Sequence, residues 1–139
     1  MARARERVMI LDDNDDATSR LKNALENKQE DGKGRRIRKR RVKYKVDTYR
    51  DPSSALQDFR AGLYDLLLID FMMAKTSNFE LCNKVRQMDR NVKICYTSGI
   101  YKNYEEASKA FPDLETKCFI PKWVQMEDLV RRIDEVIIL

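Results

Sequence analysis

Carboxylates stand directly after two apolar runs of this sequence, at positions where their side chains could act together. Asp12 and Asp13 follow the run Val8–Leu11, and Asp70 follows the run Leu66–Ile69. Apolar residues in succession, without alternation, are typical of a parallel strand buried on both faces. Ligands of open α/β sheets bind at the carboxyl ends of the strands. The three carboxylates are therefore candidates for one shared site.

Two later apolar runs end in hydroxyl and ammonium groups. Thr97 and Ser98 close one run, and Lys122 follows the other. The chain has no histidine, which removes the commonest general base and the commonest metal ligand. Clustered carboxylates without imidazole or thiolate suit Mg²⁺, with water and a phosphate completing its shell. A carboxylate can also act as a nucleophile and form an aspartyl-phosphate, so the set indicates phosphoryl transfer to an aspartate.

Strand and helix patterns alternate five times along the chain, which predicts a doubly wound, three-layer α/β domain with a parallel sheet. A charged alternating strand that ends near residue 48 belongs at a sheet edge. A loop is expected between Asp70 and the following helix. The predicted strands cover 7–11, 42–48, 66–70, 92–96 and 118–120, and the predicted helices cover 17–27, 52–62, 79–88, 107–111 and 129–137.

Length and composition favour one domain over residues 1–139. A chain of 139 residues with 42% hydrophobic residues can bury one core. It lacks the run of about 18 apolar residues that a membrane helix needs, and no apolar segment follows its N-terminal arginines. We expect a cytoplasmic protein without membrane contact. The cysteines Cys82, Cys95 and Cys118 are odd in number and lack metal-type spacing, which predicts buried free thiols in a reducing compartment rather than disulfides.

Taken in order, the motifs resemble those of response-regulator receiver domains of two-component signalling, over nearly the whole chain. The resemblance rests on Asp12 and Asp13, on YDLLLID ending at Asp70, on the following FMMAKTSNFELCNKVR, on YTSG with Thr97, and on FIPKW with Lys122. It implies a flavodoxin-like fold, with a five-stranded parallel sheet in the order 2-1-3-4-5 and helices on both faces. We expect a stand-alone receiver, because the chain stops after its closing helix.

The resemblance implies an acceptor and a metal site. Asp70 matches the aspartate that accepts a phosphoryl group from the phosphohistidine of a sensor histidine kinase or phosphotransfer protein. Asp12, Asp13, Asp70 and the backbone carbonyl of Met72 match the positions that hold Mg²⁺. Enzymatic turnover is not expected, beyond slow hydrolysis of the chain's own aspartyl-phosphate.

The resemblance also implies a switch. Thr97 matches the hydroxyl that moves to the phosphoryl group, and Lys122 matches the cation that pairs with it. Phe119 stands where the family has its rotating aromatic residue, so coupled movement of Thr97 and Phe119 would change the surface offered to a downstream protein. The protein would be a monomer or a phosphorylation-dependent dimer.

The sequence departs from the family pattern around the acceptor and the lysine. Ala74 replaces a usual proline, and Ser77-Asn78 replaces a usual Asp-Gly pair. The proline that normally follows the lysine is replaced by Trp123, and Pro121 precedes the lysine instead. A degenerate receiver with a misplaced Lys122, acting without phosphorylation, is therefore an alternative.

The site residues also have ordinary structural interpretations. The acids from Asp12 to Asp16 suit a helix cap and turn. Thr97 suits the start of a turn, and Phe119 suits a core position.

A basic stretch from Lys33 to Lys45 contains nine lysines or arginines and no acid. One interpretation is an insertion or extended edge strand at about 31–45 whose solvated charges block edge pairing. A second is a nucleic-acid-binding surface that acts through phosphate contacts, and a third is docking of an acidic protein. The candidate contacts are Arg35, Arg36, Arg38, Lys39, Arg40, Arg41, Lys43 and Lys45.

Overall fold

The computed structural model describes residues 5–26, 43–77 and 79–138. Strands and helices follow the predicted order in these residues, except that two helices instead of one separate the third and fourth strands. The elements are β1 (Glu6–Leu11), α1 (Asp15–Leu25), β2 (Tyr44–Tyr49), α2 (Pro52–Asp58), β3 (Leu66–Asp70), α3 (Phe71–Thr76), α4 (Glu80–Met88), β4 (Lys93–Ser98), α5 (Tyr104–Ser108), β5 (Phe119–Pro121) and α6 (Met126–Ile138). None of the described helices is both long enough and apolar enough to cross a bilayer.

The predicted loop after Asp70 is wrong, because α3 begins at the next residue. The Asp70 side chain caps this helix, since its Oδ1 accepts a hydrogen bond of 2.9 Å from the backbone N–H of Met72. From the sequence, a helix cap and a solvated strand end are both ordinary structural interpretations of Asp70. One residue in fact ends the strand and caps the helix.

The five strands form one parallel sheet in the order β2-β1-β3-β4-β5, which confirms the predicted topology. Every residue of β3 is buried, as its unbroken apolar run predicts for a central strand. Register places Asp70 beside Thr97 of β4, and Ser98 beside Pro121 of β5. The carboxyl ends of these strands therefore share one edge.

Two cores lie on the two faces of the sheet. On one face, Leu66 and Leu68 of β3 pack with residues of α1 and α6. On the other, Leu67 and Ile69 pack with residues of α2, α3, α4 and α5. Helices therefore cover both faces, and this layering explains why β3 shows no polar alternation.

Strand β2 lies at the sheet edge, as its alternating pattern predicts. Tyr44 and Val46 are buried, while Thr48 is exposed. The Tyr44 hydroxyl donates a hydrogen bond of 2.7 Å to Asp134 of α6, which ties the edge strand to the closing helix. Most of the predicted basic insertion at 31–45 lies outside the described residues.

The prediction that all three cysteines are free thiols is wrong. Cys95 of β4 and Cys118, which directly precedes β5, form a disulfide with Cα atoms 4.7 Å apart, within the range for such bonds. The pairing of β4 with β5 brings together residues 23 positions apart, a contact that no local spacing could indicate. Cys82 is free and buried, with its Sγ 3.3 Å from the Tyr96 hydroxyl.

Asp89 connects loops at the amino ends of the strands, whereas Asp70 lies at their carboxyl ends. Its Oδ2 accepts a hydrogen bond from the N–H of Gly62 at 2.9 Å. Its Oδ1 accepts bonds from the N–H groups of Asn91 and Val92 at 2.8 and 3.1 Å. Gly62 has a φ of 78°, a conformation that favours glycine. The bond from Gly62 lowers the pKa of Asp89 most, burial opposes this, and the bonds from Asn91 and Val92 add to it.

Replacement of Asp89 by alanine is expected to lower the free energy of unfolding by about 1–3 kcal/mol, because three N–H groups lose their acceptor. The Asp89→Asn variant is the matched control, since it keeps one side-chain oxygen and should lose less. The folded pKa lies below the ordinary value of 3.8, so the contribution is complete above that value and is lost as the pH falls through the folded pKa. Urea denaturation from pH 7 downward should show a constant difference in the free energy of unfolding between the native chain and Asp89→Ala. This difference should narrow below about pH 4. Equal free energies of unfolding for the native chain and Asp89→Ala at pH 7 would contradict the stabilising role of Asp89.

Candidate functional site

The three carboxylates predicted to converge lie together at the carboxyl edge of the sheet. Asp12 and Asp13 follow β1, and Asp70 ends the neighbouring strand β3. One carboxylate oxygen from each lies within 4.8 Å of the others. Asp12 and Asp70 are buried, while Asp13 is exposed, so the cluster opens to solvent on one side.

The two buried carboxylates are held in the same way, with one oxygen of each accepting a backbone hydrogen bond. Oδ1 of Asp12 accepts a bond of 3.0 Å from the N–H of Asn14, and Oδ1 of Asp70 accepts one of 2.9 Å from the N–H of Met72. These backbone donors hold each side chain in one orientation. The Oδ2 atom of each carboxylate is left facing the centre of the site.

Lys122 supplies the opposite charge. Its Nζ lies 3.0 Å from Oδ2 of Asp12 and 2.9 Å from Oδ2 of Asp70. Its backbone N–H donates a bond of 2.7 Å to the carbonyl of Ser98, which anchors the start of the loop after β5. The lysine therefore reaches the acidic cluster although Pro121 and Trp123 replace the pattern usual in the resembled family.

The electrostatics of Lys122 reflect both burial and pairing. Its side chain is 33% exposed. Burial by itself lowers the pKa of this ammonium, but the hydrogen bonds with Asp70 and Asp12 and the charges of both carboxylates outweigh that effect, so the pKa lies above 10.5. The ammonium stays charged at neutral pH and offsets the repulsion between the two carboxylates.

The two residues predicted to act as a switch are both buried, and one of them lies beside Asp70. Thr97 is buried and is the register partner of Asp70 on the neighbouring strand. Phe119 points into an aromatic cluster and is also buried, with its ring centroid 5.2 Å from that of Tyr96. The inward position of Phe119 agrees with the interpretation as a core residue.

The surroundings of Met72 differ from those that the sequence predicts. The residue lies in the first turn of α3 rather than in a loop. Its carbonyl accepts a hydrogen bond of 2.7 Å from the Thr76 hydroxyl. Because a carbonyl oxygen has two lone pairs, it retains one further acceptor position.

Two further residues shape the site: Ser98, which the sequence places at a strand end, and Phe71, which has no predicted role. The Ser98 hydroxyl accepts bonds from the N–H groups of Ile100 and Tyr101 at 3.1 and 2.9 Å, while its carbonyl holds Lys122. Phe71, directly after Asp70, lies at the centre of an aromatic cluster. Its ring packs against those of Phe79, Tyr96, Tyr101, Phe111 and Phe119, with centroids 5.3–5.8 Å away. The sequence signal that could have identified Phe71 is its position directly after Asp70.

The predicted nucleic-acid contacts are mostly outside the described residues. The part of the chain that the structure describes omits Arg35, Arg36, Arg38, Lys39, Arg40 and Arg41. Lys43 is exposed, and the Nζ of Lys45 lies 4.0 Å from Oδ1 of Asp47. Both lysines stand at the amino end of β2, whereas Asp70 stands at the carboxyl end of β3. Because most of the basic stretch lies outside the described residues, the nucleic-acid interpretation stays a prediction.

Comparison with known families gives one match over most of the chain. The model of the response regulator receiver domain family matches residues 8–134. Transcriptional regulatory protein DltR of Streptococcus agalactiae is 29% identical over 90 residues, which cover 65% of this chain and 39% of DltR. Response regulator ArlR of Staphylococcus aureus is 29% identical over 94 residues, which cover 68% of this chain and 42% of ArlR. The chain thus spans about two fifths of the length of these curated relatives.

Solved structures share the fold. The non-phosphorylated HemR receiver domain from Leptospira biflexa has a TM-score of 0.73 at 20% identity, covering 97% of this chain and 96% of its own. A CheY-like response regulator receiver domain from Methanospirillum hungatei has a TM-score of 0.70 at 20% identity, covering 96% and 94%. A chain in the crystal structure of histidine kinase ThkA in complex with response regulator protein TrrA has a TM-score of 0.65 at 20% identity, covering 94% and 97%. These similarities confirm the flavodoxin-like fold.

Replacement of Lys122 by methionine should lower the free energy of unfolding by about 1–2 kcal/mol without divalent cations, because Asp12 and Asp70 lose their counter-charge while the site stays partly solvated. Lys84→Met is the control, since Lys84 pairs with Glu80 on an exposed helix face at 2.8 Å and should change stability much less. Urea denaturation of both variants measures the difference. Equal stability losses in the two variants would contradict the proposed electrostatic role of Lys122.

Proposed function

Because the chain belongs to the response regulator receiver domain family, we propose that it accepts a phosphoryl group on Asp70 from a histidine kinase or phosphotransfer protein and so switches a protein-binding surface. Receiver domains are signalling domains of two-component systems, and phosphorylation by a histidine kinase is typical of them. The observation that carries the proposal is the position of the Lys122 ammonium between Oδ2 of Asp70 and Oδ2 of Asp12, beside a third carboxylate.

Oδ2 of Asp70 is the proposed nucleophile. Oδ1 of the same carboxylate is occupied by the N–H of Met72, so the side chain presents its second oxygen in a defined direction. The bond from Oδ2 to phosphorus forms while the phosphorus–nitrogen bond of the partner's phosphohistidine breaks, and the electron pair of that bond returns to the imidazole. Oδ2 of Asp70 loses its negative charge when it forms the bond to phosphorus. Lys122 can then pair with a phosphoryl oxygen instead of with Oδ2.

Asp12, Asp13 and Asp70 are proposed to hold Mg²⁺. Their oxygens lie within reach of one ion, and a donor set made only of carboxylates suits this hard cation, which keeps part of its water. When bound, the ion neutralises charge on the phosphoryl oxygens. The Met72 carbonyl is the proposed further ligand, through the lone pair that Thr76 does not use.

Thr97 and Phe119 are proposed to transmit the phosphorylated state. Thr97 is the register partner of Asp70, so its hydroxyl is attached to the strand next to the acceptor. Phe119 packs against Phe71 at 5.3 Å and Tyr104 of α5 at 6.4 Å. Movement of Thr97 toward a phosphoryl group would disturb the packing beside it and change the surface formed by α5 and β5.

Labelling with a small acyl phosphate in Mg²⁺ should add one phosphoryl group per chain, measured as intact mass. Asp70→Asn should abolish labelling, and Asp13→Asn should slow it by about tenfold or more through loss of a metal ligand. Asp16→Asn is the matched control, because Asp16 is an exposed acid in the first turn of α1. Labelling that persists in Asp70→Asn would exclude this acceptor. A native chain that gains no phosphate would favour the degenerate receiver instead.

Three exposed apolar side chains follow the carboxyl ends of the strands at the acceptor edge and are the proposed docking rim for the phosphodonor protein. Met72, Ile100 and Trp123 are 43%, 60% and 58% exposed and follow the carboxyl ends of β3, β4 and β5. Apolar side chains exposed together commonly mark interaction surfaces. A chain with this fold occurs in the crystal structure of histidine kinase ThkA in complex with response regulator protein TrrA. That complex supports a histidine kinase as the partner.

Truncation of Trp123 to alanine should slow transfer from a phosphorylated histidine kinase that labels the native chain. The loss should exceed the loss in acyl-phosphate labelling by about tenfold, as expected for a buried aromatic anchor of an interface. Met88→Ala is the control, because Met88 is 45% exposed but lies at the end of α4, away from the acceptor. Equal losses with the two donors would argue against a docking role for Trp123.

A further inference from the structure

We propose that Cys95 and Cys118 form a reversible redox modification site, which a low-molecular-weight disulfide of the glutathione type oxidises, and that its state sets how firmly β5 is held to β4. The disulfide joins β4 to the residue directly before β5. Thr97 lies two residues after Cys95, and Phe119 directly follows Cys118. The bond therefore lies next to both proposed switch residues.

Strand β5 depends on a few bonds to one neighbour. It has three residues and lies at the sheet edge, where it pairs with β4. Residues 109–118 before it form neither helix nor strand. The N–H of Tyr96 donates to the carbonyl of Cys118 at 2.9 Å, and the N–H of Lys122 donates to the carbonyl of Ser98 at 2.7 Å. A covalent link at the start of so short a strand adds restraint that this hydrogen-bonded pairing lacks.

Burial separates the roles of the cysteines. Cys95 is fully buried, whereas Cys118 is partly exposed and packs against the core, so Cys118 is the more accessible member of the pair. Cys82 lies in the core on the other face of the sheet from Cys95. Burial also raises the pKa of the Cys82 thiol, which keeps it protonated and unreactive. The chain thus contains a reactive pair and an internal unreactive reference.

The exchange is balanced in atoms and electrons. The Cys118 thiolate attacks the small disulfide, forms a mixed disulfide and releases one small thiolate. The Cys95 thiolate then attacks the Cys118 sulfur and releases the second small thiolate. Two protein thiols and one small disulfide give one protein disulfide and two small thiols. The pair loses two electrons, and its protons pass to the released thiolates. Excess small thiol reverses both steps.

The first test equilibrates the folded chain with graded ratios of reduced to oxidised glutathione, then traps thiols by alkylation for peptide mass mapping. Cys95 and Cys118 should change together, while Cys82 stays a thiol throughout. A pair that becomes reducible only in denaturant, or that stays reduced at every ratio, would overturn the proposal. Participation of Cys82 in the disulfide would also overturn it.

The second test measures amide hydrogen exchange of the oxidised and reduced chains. The N–H groups of residues 119–122 should exchange at least about tenfold faster after reduction, because local opening of β5 becomes easier. Cys118→Ser should behave as the reduced chain in both buffers, and Cys82→Ser, the matched control, should keep the difference. Reduced native chain gives the comparison if Cys118→Ser does not fold. Exchange rates independent of redox state would refute control of β5. Neither measurement involves phosphorylation, so the result is separate from the labelling experiment.

Discussion

Three acidic side chains at one end of a buried sheet impose the main electrostatic constraint on this structure. Carboxylates so close together repel one another, and burial of two of them removes water that would screen the repulsion. The Lys122 ammonium offsets this charge by contacting Asp12 and Asp70 at once. These contacts link β1 and β3 to the loop after β5. The ion pair that offsets this repulsion is therefore the arrangement that the proposed phosphorylation would disturb.

The aromatic cluster offers a physical connection between that charge and the protein surface. Phe71 follows the proposed acceptor directly and packs on Phe119, which is adjacent to the disulfide, and on Tyr101 of the loop after β4. Packed cores respond to displacement by shifting between discrete arrangements rather than by continuous deformation. A rearrangement at Asp70 would thus reach α5 and β5 through neighbouring rings. Bonds at the opposite edge, such as those from Lys93 to the last carbonyls of α6 at 2.7 and 3.1 Å, hold the fold there.

Most of the fold was predictable because its signals are local. The uninterrupted apolar run of β3 and the alternation in β2 each reflect one element and its own burial. The error after Asp70 had a local cause as well, since one carboxylate both ends a strand and caps a helix. Sequence patterns assign such a residue to one element, whereas its two oxygens can serve two.

The sequence by itself determined which groups are available: carboxylates after β1 and at the end of β3, hydroxyls at the end of β4, a lysine after β5, and no histidine. Their order along the chain was enough to indicate a family and a common edge of the sheet. Only the tertiary structure decided that Lys122 contacts both Oδ2 atoms, that Phe71 centres an aromatic cluster, and that Cys95 bonds to Cys118. These contacts depend on strand register and side-chain direction across the sheet. Residue types and spacing constrain neither when the partners lie on different strands.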